Sequence, residues 1–216
     1  SLTSDQKKVI KEIEEDLKSS NRMFRILQGD VGSGKTIVAL NSCVQSISAG
    51  YQCAFMAPTE ILAKQHFKLS KKLLNSFNIK IEFLSGKINY LERKIILENL
   101  INGKIDLLIG THALFQNKIE FKNLGFIIVD EQHKFGVKQR IKLAKKGGDN
   151  CDVLLMSATP IPRTMMLVVY GDMDVSRIKE KPSIRKPIIT LSKPENKIDE
   201  LWPFIKKQID SDNQVF

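Results

Sequence analysis

The stretch "QGDVGSGKT", Gln28 to Thr36, follows the apolar run "MFRIL" and precedes "IVALNSCVQSI". From Gly29 onward it fits the pattern G-x-x-x-x-G-K-[ST], which predicts a phosphate-binding loop between a strand and a helix. The same residues also suit a tight glycine turn that only starts a helix. An apolar run before the loop and a helical period after it are the context that phosphate binding requires, and they favour the phosphate loop.

The chemistry of phosphate assigns roles within this loop. Its glycines let backbone N–H groups surround a β-phosphate, and the Lys35 ammonium reaches the β- and γ-oxygens. The Thr36 hydroxyl is placed to bind Mg2+. The loop therefore predicts a nucleoside triphosphate and Mg2+ as cofactors, and the predicted nucleotide-binding residues of the loop are Gly29, Asp30, Val31, Gly32, Ser33, Gly34, Lys35 and Thr36.

A second segment, "FIIVDEQH" at residues 126–133, supplies the carboxylates that such a loop needs. Four apolar residues predict a buried strand, and Asp130 and Glu131 follow at its carboxyl end, the edge where open α/β sheets bind ligands. Asp130 is predicted to hold the metal and Glu131 to activate the attacking water as a general base. Acidic residues after a strand often only cap a helix, but a phosphate loop in the same sheet favours catalysis. Lys35, Asp130 and Glu131 are the predicted catalytic residues, and Thr36 and Asp130 the metal ligands.

A third segment, "LLMSATPIPRT" at residues 154–164, is another apolar run that ends in small hydroxyl residues. Ser157 and Thr159 are predicted coupling residues, because hydroxyls at a sheet edge can link the carboxylate site to a neighbouring surface by hydrogen bonds. Taken alone, the segment is an ordinary strand followed by a turn.

Short apolar runs alternate with longer segments of helical period, which predicts an α/β fold with a mainly parallel sheet and helices on both faces. The runs are apolar throughout, as in strands that are covered on both sides. Ser4 is the expected N-cap of the first helix. The predicted strands are 23–28, 52–57, 80–84, 105–109, 125–130 and 152–157, with one more near 187–192; the predicted helices are 4–19, 35–49, 60–76, 90–102, 137–146, 161–170 and one near 195–210.

Composition limits the class of protein. The net charge of +10 favours a polyanion such as nucleic acid as partner. The 3 cysteines are scattered and two lie in apolar runs, which indicates buried thiols in a reducing compartment. With no long apolar span and no charged-then-apolar leader, we expect a soluble, cytoplasmic protein without a membrane partner.

Together, "GDVGSGKT", "DEQH" and "SAT" resemble motifs I, II and III of superfamily 2 helicases, and the chain is most similar to the RecG-type DNA helicases of bacteria. The resemblance rests on "LTSDQKKVIKEI", "LQGDVGSGKT", "MAPTEILAKQH", "GTHALFQ", "LGFIIVDEQHKFGVKQR" and "MSATPIPRTMMLVVYGDMDVS". It implies the first RecA-like motor domain, a three-layer P-loop domain, of an enzyme that couples ATP hydrolysis to remodelling of branched DNA. Fork reversal and Holliday-junction migration in repair and recombination are the implied activities.

The resemblance also assigns residues. Gln6 matches the glutamine that reads adenine, and His133 matches the residue that binds nucleotide and links its state to DNA. Segments laid along the DNA backbone are matched by Pro58, Thr59, Gln65, Ser85, Gly86, Lys87, Gly110, Thr111 and His112. For the lysines of the helix after Thr59, a solvated face and a DNA contact are equally good interpretations.

The motor domain is predicted at residues 1–180, and residues 181–216 are predicted to connect it to a second RecA-like domain. That domain and an amino-terminal wedge domain are implied partners in a monomeric parent protein. Because the second domain supplies the arginines that stabilise the γ-phosphate, we expect this chain alone to be inactive or very slow. Two alternatives stay open: the motor of a transcription-repair coupling DNA translocase, and a non-catalytic, ATP-switched DNA-binding module.

Overall fold

Strands and helices alternate along most of the chain in the computed structural model, which describes residues 2–115, 119–130, 151–159, 173–180, 190, 192 and 194–215. The strands are Phe24–Gly29 (β1), Gln52–Met56 (β2), Ile81–Leu84 (β3), Leu107–Gly110 (β4), Leu124–Val129 (β5), Asp152–Ser157 (β6) and Asp174–Ile178 (β7). The helices are Ser4–Lys18 (α1), Lys35–Ser48 (α2), Glu60–Leu73 (α3), Tyr90–Ile101 (α4) and Leu201–Asp210 (α5), with 3-10 turns at Asn75–Phe77, His112–Phe115 and Glu195–Glu200.

The strands form one sheet in the order β3-β4-β2-β5-β6-β1-β7. Every described pair is parallel, so all carboxyl ends lie at one edge of the sheet. The predicted α/β fold with a parallel sheet is confirmed, and the loops that follow the strands are brought to a common edge.

Two apolar layers cover the sheet because successive strand residues point to opposite faces. In β2, Ala54 and Met56 belong to one layer with Ile96 and Leu100 of α4. Cys53 and Phe55 belong to the other layer, where α1, α2 and α3 pack. Helices therefore lie on both faces, as predicted, and the sheet edge is held between two dry layers.

Helix α1 begins with a capping box rather than at the predicted N-cap. Thr3 is the N-cap and Ser4 is the first helical residue. The Thr3 hydroxyl accepts from the Gln6 N–H at 3.3 Å, and the Thr3 N–H donates to Gln6 Oε1 at 3.0 Å. The Ser4 prediction was wrong because Gln6 stands three residues after Thr3, the spacing that a reciprocal box requires.

Strand β7 is absent from the sequence predictions. Its residues "DVSRI" are partly polar and only Ser176 and Ile178 are buried, since the strand lies at the end of the sheet and pairs only with β1 among the described strands. An edge strand needs no continuous apolar run, and the central strands were predicted from such runs, so β7 was not predicted.

Several predicted elements differ or lie elsewhere. The single helix predicted over 60–76 ends at Leu73, and a 3-10 turn leads to Asn78 in a left-handed conformation. The helix predicted near 195–210 is a 3-10 turn followed by α5, with a non-helical Lys197. Predicted helices 137–146 and 161–170 lie outside the described residues, as does nearly all of the strand near 187–192.

By its internal contacts the chain divides into Ser1–Pro182 and Ser183–Phe216. The functional division predicted after residue 180 stays a prediction. Within the described residues, no helix combines the length and the apolar character needed to cross a membrane.

Candidate functional site

The glycine-rich loop folds back onto its own start between β1 and α2. Gly32 and Gly34 have φ values of 77° and 89°, and the Ser33 N–H donates to the Asp30 carbonyl at 3.1 Å. A Cβ atom added to Gly29 would lie 2.6 Å from Ser33 Oγ. Glycine is required at these positions because a side chain would meet the returning loop or strain the left-handed backbone.

The amino terminus of α2 differs from those of its neighbours. Side chains cap three other helices: Thr3 caps α1, Thr59 caps α3 and Asn89 caps α4. Helix α2 starts after Gly34, and no side chain in the described part of the chain caps it. Its first N–H groups and the positive end of its dipole therefore face the loop, which is the arrangement that binds phosphate.

The Lys35 side chain lies inside the loop, with 9% of the residue exposed. Its Nζ atom donates to the Gly29 carbonyl at 2.5 Å and to the Asp30 carbonyl at 3.1 Å. These carbonyls hold the ammonium among the backbone groups that would surround a phosphate. The positive charge of Lys35 and the positive end of the α2 dipole would therefore attract the same phosphate.

Gln6 packs against the loop from α1. Its Nε2 atom donates to the Ser33 carbonyl at 2.8 Å, and 4% of the residue is exposed. A Cβ atom on Gly34 would lie 2.2 Å from that Nε2 atom, so the close approach depends on glycine. The structure brings Gln6 to the phosphate loop, and its proposed contact with adenine stays a prediction.

Asp130 follows β5 at the same sheet edge and is 7% exposed. Strand β6 separates β5 from β1, which places the end of β5 two strand spacings, about 10 Å, from the end of β1. The Asp130 N–H donates to the Met56 carbonyl at 2.8 Å. The Asp130 carboxylate and the Thr36 hydroxyl are oxygen groups of the kind that suits Mg2+.

The carboxylate of Asp130 also has a partner that sequence reasoning missed. Its Oδ2 atom lies 2.8 Å from Nε2 of His66 on α3, and both side chains are almost fully buried. The His66 ring packs on Phe55 with 4.5 Å between ring centroids. No sequence pattern signals this contact, because it depends on the pairing of β2, which α3 follows, with β5, which Asp130 follows.

The hydroxyl residues after β6 bond to one another. Ser157 Oγ donates to the Thr159 carbonyl at 3.0 Å and lies 3.2 Å from Thr159 Oγ1. Ser157 is fully buried and Thr159 is exposed. Glu131 and His133 lie outside the described residues, so the predicted coupling between these segments stays a prediction.

The residues matched to DNA-binding segments lie at or after the ends of three other strands, β2, β3 and β4. Leu84, Gly110 and Met56 are in register across β3, β4 and β2. The segments that begin with Ser85, Thr111 and Ala57 therefore start side by side. The carboxyl edge has two halves: nucleotide residues follow β1 and β5, and the predicted DNA residues follow β2, β3 and β4.

Exposure varies within this second half. Thr59, Gln65, Gly86, Lys87 and His112 are exposed, Pro58 is half-buried, and Ser85, Gly110 and Thr111 are buried. The Thr59 hydroxyl oxygen accepts from the Leu62 N–H at 3.3 Å. The buried residues pack at the ends of the strands. The exposed ones include hydroxyl, amide and cationic groups that can donate hydrogen bonds to phosphate oxygens.

Two lysines of α3 have partners within the chain. Lys64 Nζ lies 2.8 Å from Glu60 Oε1, and this hydrogen bond, followed by the charges of Lys64 and Lys87, lowers the pKa of the Glu60 carboxyl. Lys71 Nζ lies 4.6 Å from the centroid of the Phe67 ring. Both contacts suit a solvated face and leave the DNA interpretation of these lysines open.

Comparison with known proteins gives a family and close relatives. Residues 3–168 match the DEAD/DEAH box helicase family. The chain is 46% identical over 215 residues to the ATP-dependent DNA helicase RecG of Streptococcus pneumoniae, covering 100% of this chain and 32% of that protein. It is 47% identical over 215 residues to the protein of that name from Thermotoga maritima, covering 100% of this chain and 27% of the relative. The chain thus spans about a third of the length of these relatives.

Solved structures agree with the fold. A structure of RecG bound to a three-way DNA junction superposes with a TM-score of 0.83 at 43% identity, over 98% of this chain and 28% of that one. The helicase Mss116p bound to single-stranded RNA and AMP-PNP superposes with a TM-score of 0.67 at 21% identity, over 97% of this chain and 47% of that one. At that identity the second likeness supports the fold alone, which is the RecA-like α/β domain.

Proposed function

Because the chain belongs to the DEAD/DEAH box helicase family, we propose that it is the ATP-binding motor domain of a RecG-type DNA helicase. In the parent enzyme, ATP hydrolysis drives the remodelling of branched DNA during repair and recombination. The parent acts as a cytoplasmic, bacterial monomer, and a second RecA-like domain and a wedge domain complete it.

One observation carries the nucleotide part of this proposal. The amino terminus of α2 has no side-chain cap in the described structure, whereas Lys35 is held among the loop carbonyls beside it. The N–H groups in the first turn of a helix need acceptors, and the positive end of the helix dipole favours an anion. A nucleotide phosphate meets that need and matches the charge of the lysine.

The residues present fit a magnesium ion. The Thr36 hydroxyl and the Asp130 carboxylate are the hard oxygen ligands that Mg2+ takes, and they follow strands at one edge of the sheet. When bound, the metal neutralises charge on the β- and γ-phosphates. Lys35 binds and orients the same oxygens, and Gln6 supports the loop at Ser33. Glu131 is proposed to accept a proton from the attacking water.

The DNA part rests on the second half of the sheet edge and on relatives. Exposed polar side chains follow three neighbouring strands, β2, β3 and β4; they are Thr59, Lys87 and His112. A solved RecG structure that resembles this chain contains a three-way DNA junction. We propose contact with the phosphate backbone of branched DNA. Such contacts position the protein without reading sequence.

The test of the nucleotide site is Lys35→Ala. Loss of a charged hydrogen-bond donor to phosphate should weaken Mg2+–ATP binding roughly 10- to 100-fold, measured by calorimetry. Hydrolysis, slow in the chain itself, should fall to background. Lys104→Ala is the matched control because Lys104 is exposed and precedes β4 at the opposite edge.

Three outcomes separate the candidates. Equal ATP affinity in Lys35→Ala and wild type would overturn the phosphate-loop assignment. Binding without any hydrolysis, even when the second RecA-like domain is joined to the chain, would favour the ATP-switched binding module. Turnover that increases with a three-way junction more than with a linear duplex supports the RecG-type function over a translocase of linear DNA.

A further inference from the structure

Helix α3 reaches the predicted metal site through one side chain. His66 lies two turns into the helix, and its Nε2 atom is 2.8 Å from Asp130 Oδ2. The same helix is capped by Thr59, one of the residues matched to DNA contacts. The hydrogen bond therefore joins the helix of the predicted DNA half to the carboxylate of the nucleotide half.

The chemistry of the two groups fixes the direction of this bond. A carboxylate that binds a metal is ionised and can only accept, so in the metal-binding state Nε2 donates to Oδ2. The ring is held in place by its contact with Phe55, and the Asp130 backbone is held by its bond to Met56. Both ends of the bond are anchored, so it restrains the Asp130 carboxylate at Oδ2.

The surroundings explain why such a bond matters. With side chains about one-tenth exposed, water competes weakly for either group. A hydrogen bond in such a site restrains how the carboxylate turns about the bond that joins it to its Cβ atom. Outer hydrogen bonds to metal-binding side chains affect metal affinity by about 10- to 100-fold.

We propose that His66 is a positioning residue that orients the Asp130 carboxylate for binding of the magnesium–nucleotide complex. This proposal rests on the proposed function, because it assumes that Asp130 serves the metal. His66 itself touches neither nucleotide nor metal in the proposal, and it acts only through Asp130.

The experiment compares His66→Leu with His66→Gln. Leucine removes the donor, whereas the glutamine amide reaches about as far as the imidazole Nε2 atom. Binding of Mn2+ in the presence of ADP is followed by electron paramagnetic resonance. We expect about 10-fold or greater loss of Mn2+ affinity in His66→Leu and recovery of most of that loss in His66→Gln.

Phe67→Leu is the matched control for packing. Phe67 is the next residue of α3 and contacts Phe83, with 5.6 Å between ring centroids. This variant should lower the stability of the fold and leave Mn2+–ADP affinity near the wild-type value. If His66→Leu does not fold, His66→Asn replaces it, since that amide is too short to reach Oδ2.

The outcomes are distinguishable. A donor-less variant that loses stability but binds Mn2+–ADP like the wild type overturns the positioning role and leaves the proposed function intact. A wild-type chain that binds no Mn2+–ADP overturns both. The proposal is supported if Mn2+–ADP affinity falls in His66→Leu or His66→Asn, recovers in His66→Gln and stays at the wild-type value in Phe67→Leu.

Discussion

Gly110 ends β4 at a point where the neighbouring backbone leaves no room for a side chain. A Cβ atom there would lie 2.4 Å from the Leu84 carbonyl oxygen and 3.1 Å from Leu114 Cδ2. Strands β3 and β4 come this close at the carboxyl edge, where the segments matched to DNA contacts begin. The glycine thus permits the side-by-side arrangement of these segments.

Gly110→Ala should therefore destabilise the fold. Insertion of a methyl group against backbone costs about 1–3 kcal/mol, since the carbonyl cannot rotate away as a side chain would. Urea unfolding followed by circular dichroism measures the loss. Gly86→Ala is the control, because a Cβ atom at Gly86 has open space around it; a similar loss in both variants would contradict the argument from contact.

At the scale of the element, α3 combines a structural and a proposed functional role in its first residues. Thr59 caps the helix through its hydroxyl oxygen and is also exposed on the predicted DNA half of the edge. Alanine removes the cap, whereas aspartate keeps it and adds a negative charge that the helix dipole tolerates. The two substitutions separate the roles.

Thr59→Ala should lower the free energy of unfolding by about 1 kcal/mol, and Thr59→Asp should keep it close to wild type. DNA affinity should be lower in Thr59→Asp than in Thr59→Ala, because the added carboxylate repels phosphate. Fluorescence anisotropy with a labelled three-way junction measures binding, at several salt concentrations because phosphate contacts weaken with salt. Unchanged binding in Thr59→Asp would remove Thr59 from the proposed DNA contacts.

The central strands were predictable because burial on both faces demands continuous apolar runs, as in β2 and β5. Strand β7 was not, since an edge strand is not covered on both faces and tolerates exposed charged residues such as Asp174 and Arg177. The glycine-rich loop between β1 and α2 was predictable because its pattern lies in one continuous stretch, and its binding of phosphate stays a prediction. The contact between His66 and Asp130 was not, because it depends on strand order and on side-chain direction, which a sequence pattern does not encode.

At the scale of the whole molecule, the two ends of the larger unit meet. The Asp5 carboxylate accepts from the backbone N–H groups of Lys179 at 2.7 Å and Glu180 at 2.9 Å. The Glu180 bond, followed by the Lys179 bond, lowers the pKa of Asp5 below its ordinary 3.8. The first turn of α1, next to Gln6, is thus tied to the segment after β7.

This tie predicts a pH dependence. A lowered pKa in the folded state means that ionised Asp5 stabilises the fold above its unfolded pKa, and that this contribution is lost as the pH falls through the folded pKa. The stability difference between wild type and Asp5→Asn should therefore be constant at neutral pH and shrink below about pH 4. Urea titrations over this range measure it.

Glu15→Gln is the control for that titration, because it removes an exposed carboxylate from the same helix. If both variants differ from wild type with the same pH profile, the backbone bonds of Asp5 are not the cause.

The pairing of β1 has a consequence for how the chain is made. Phe24 pairs with Val153 and Arg25 with Asp174, so both neighbours of β1 are synthesised long after it. At about 5–20 residues per second, the phosphate-loop strand waits roughly six seconds or more on the ribosome before its first partner is translated. During that interval an apolar strand has both edges unpaired, which makes it a target for chaperones or for self-association. The nucleotide loop can therefore acquire its final shape only in the last stages of synthesis of this domain.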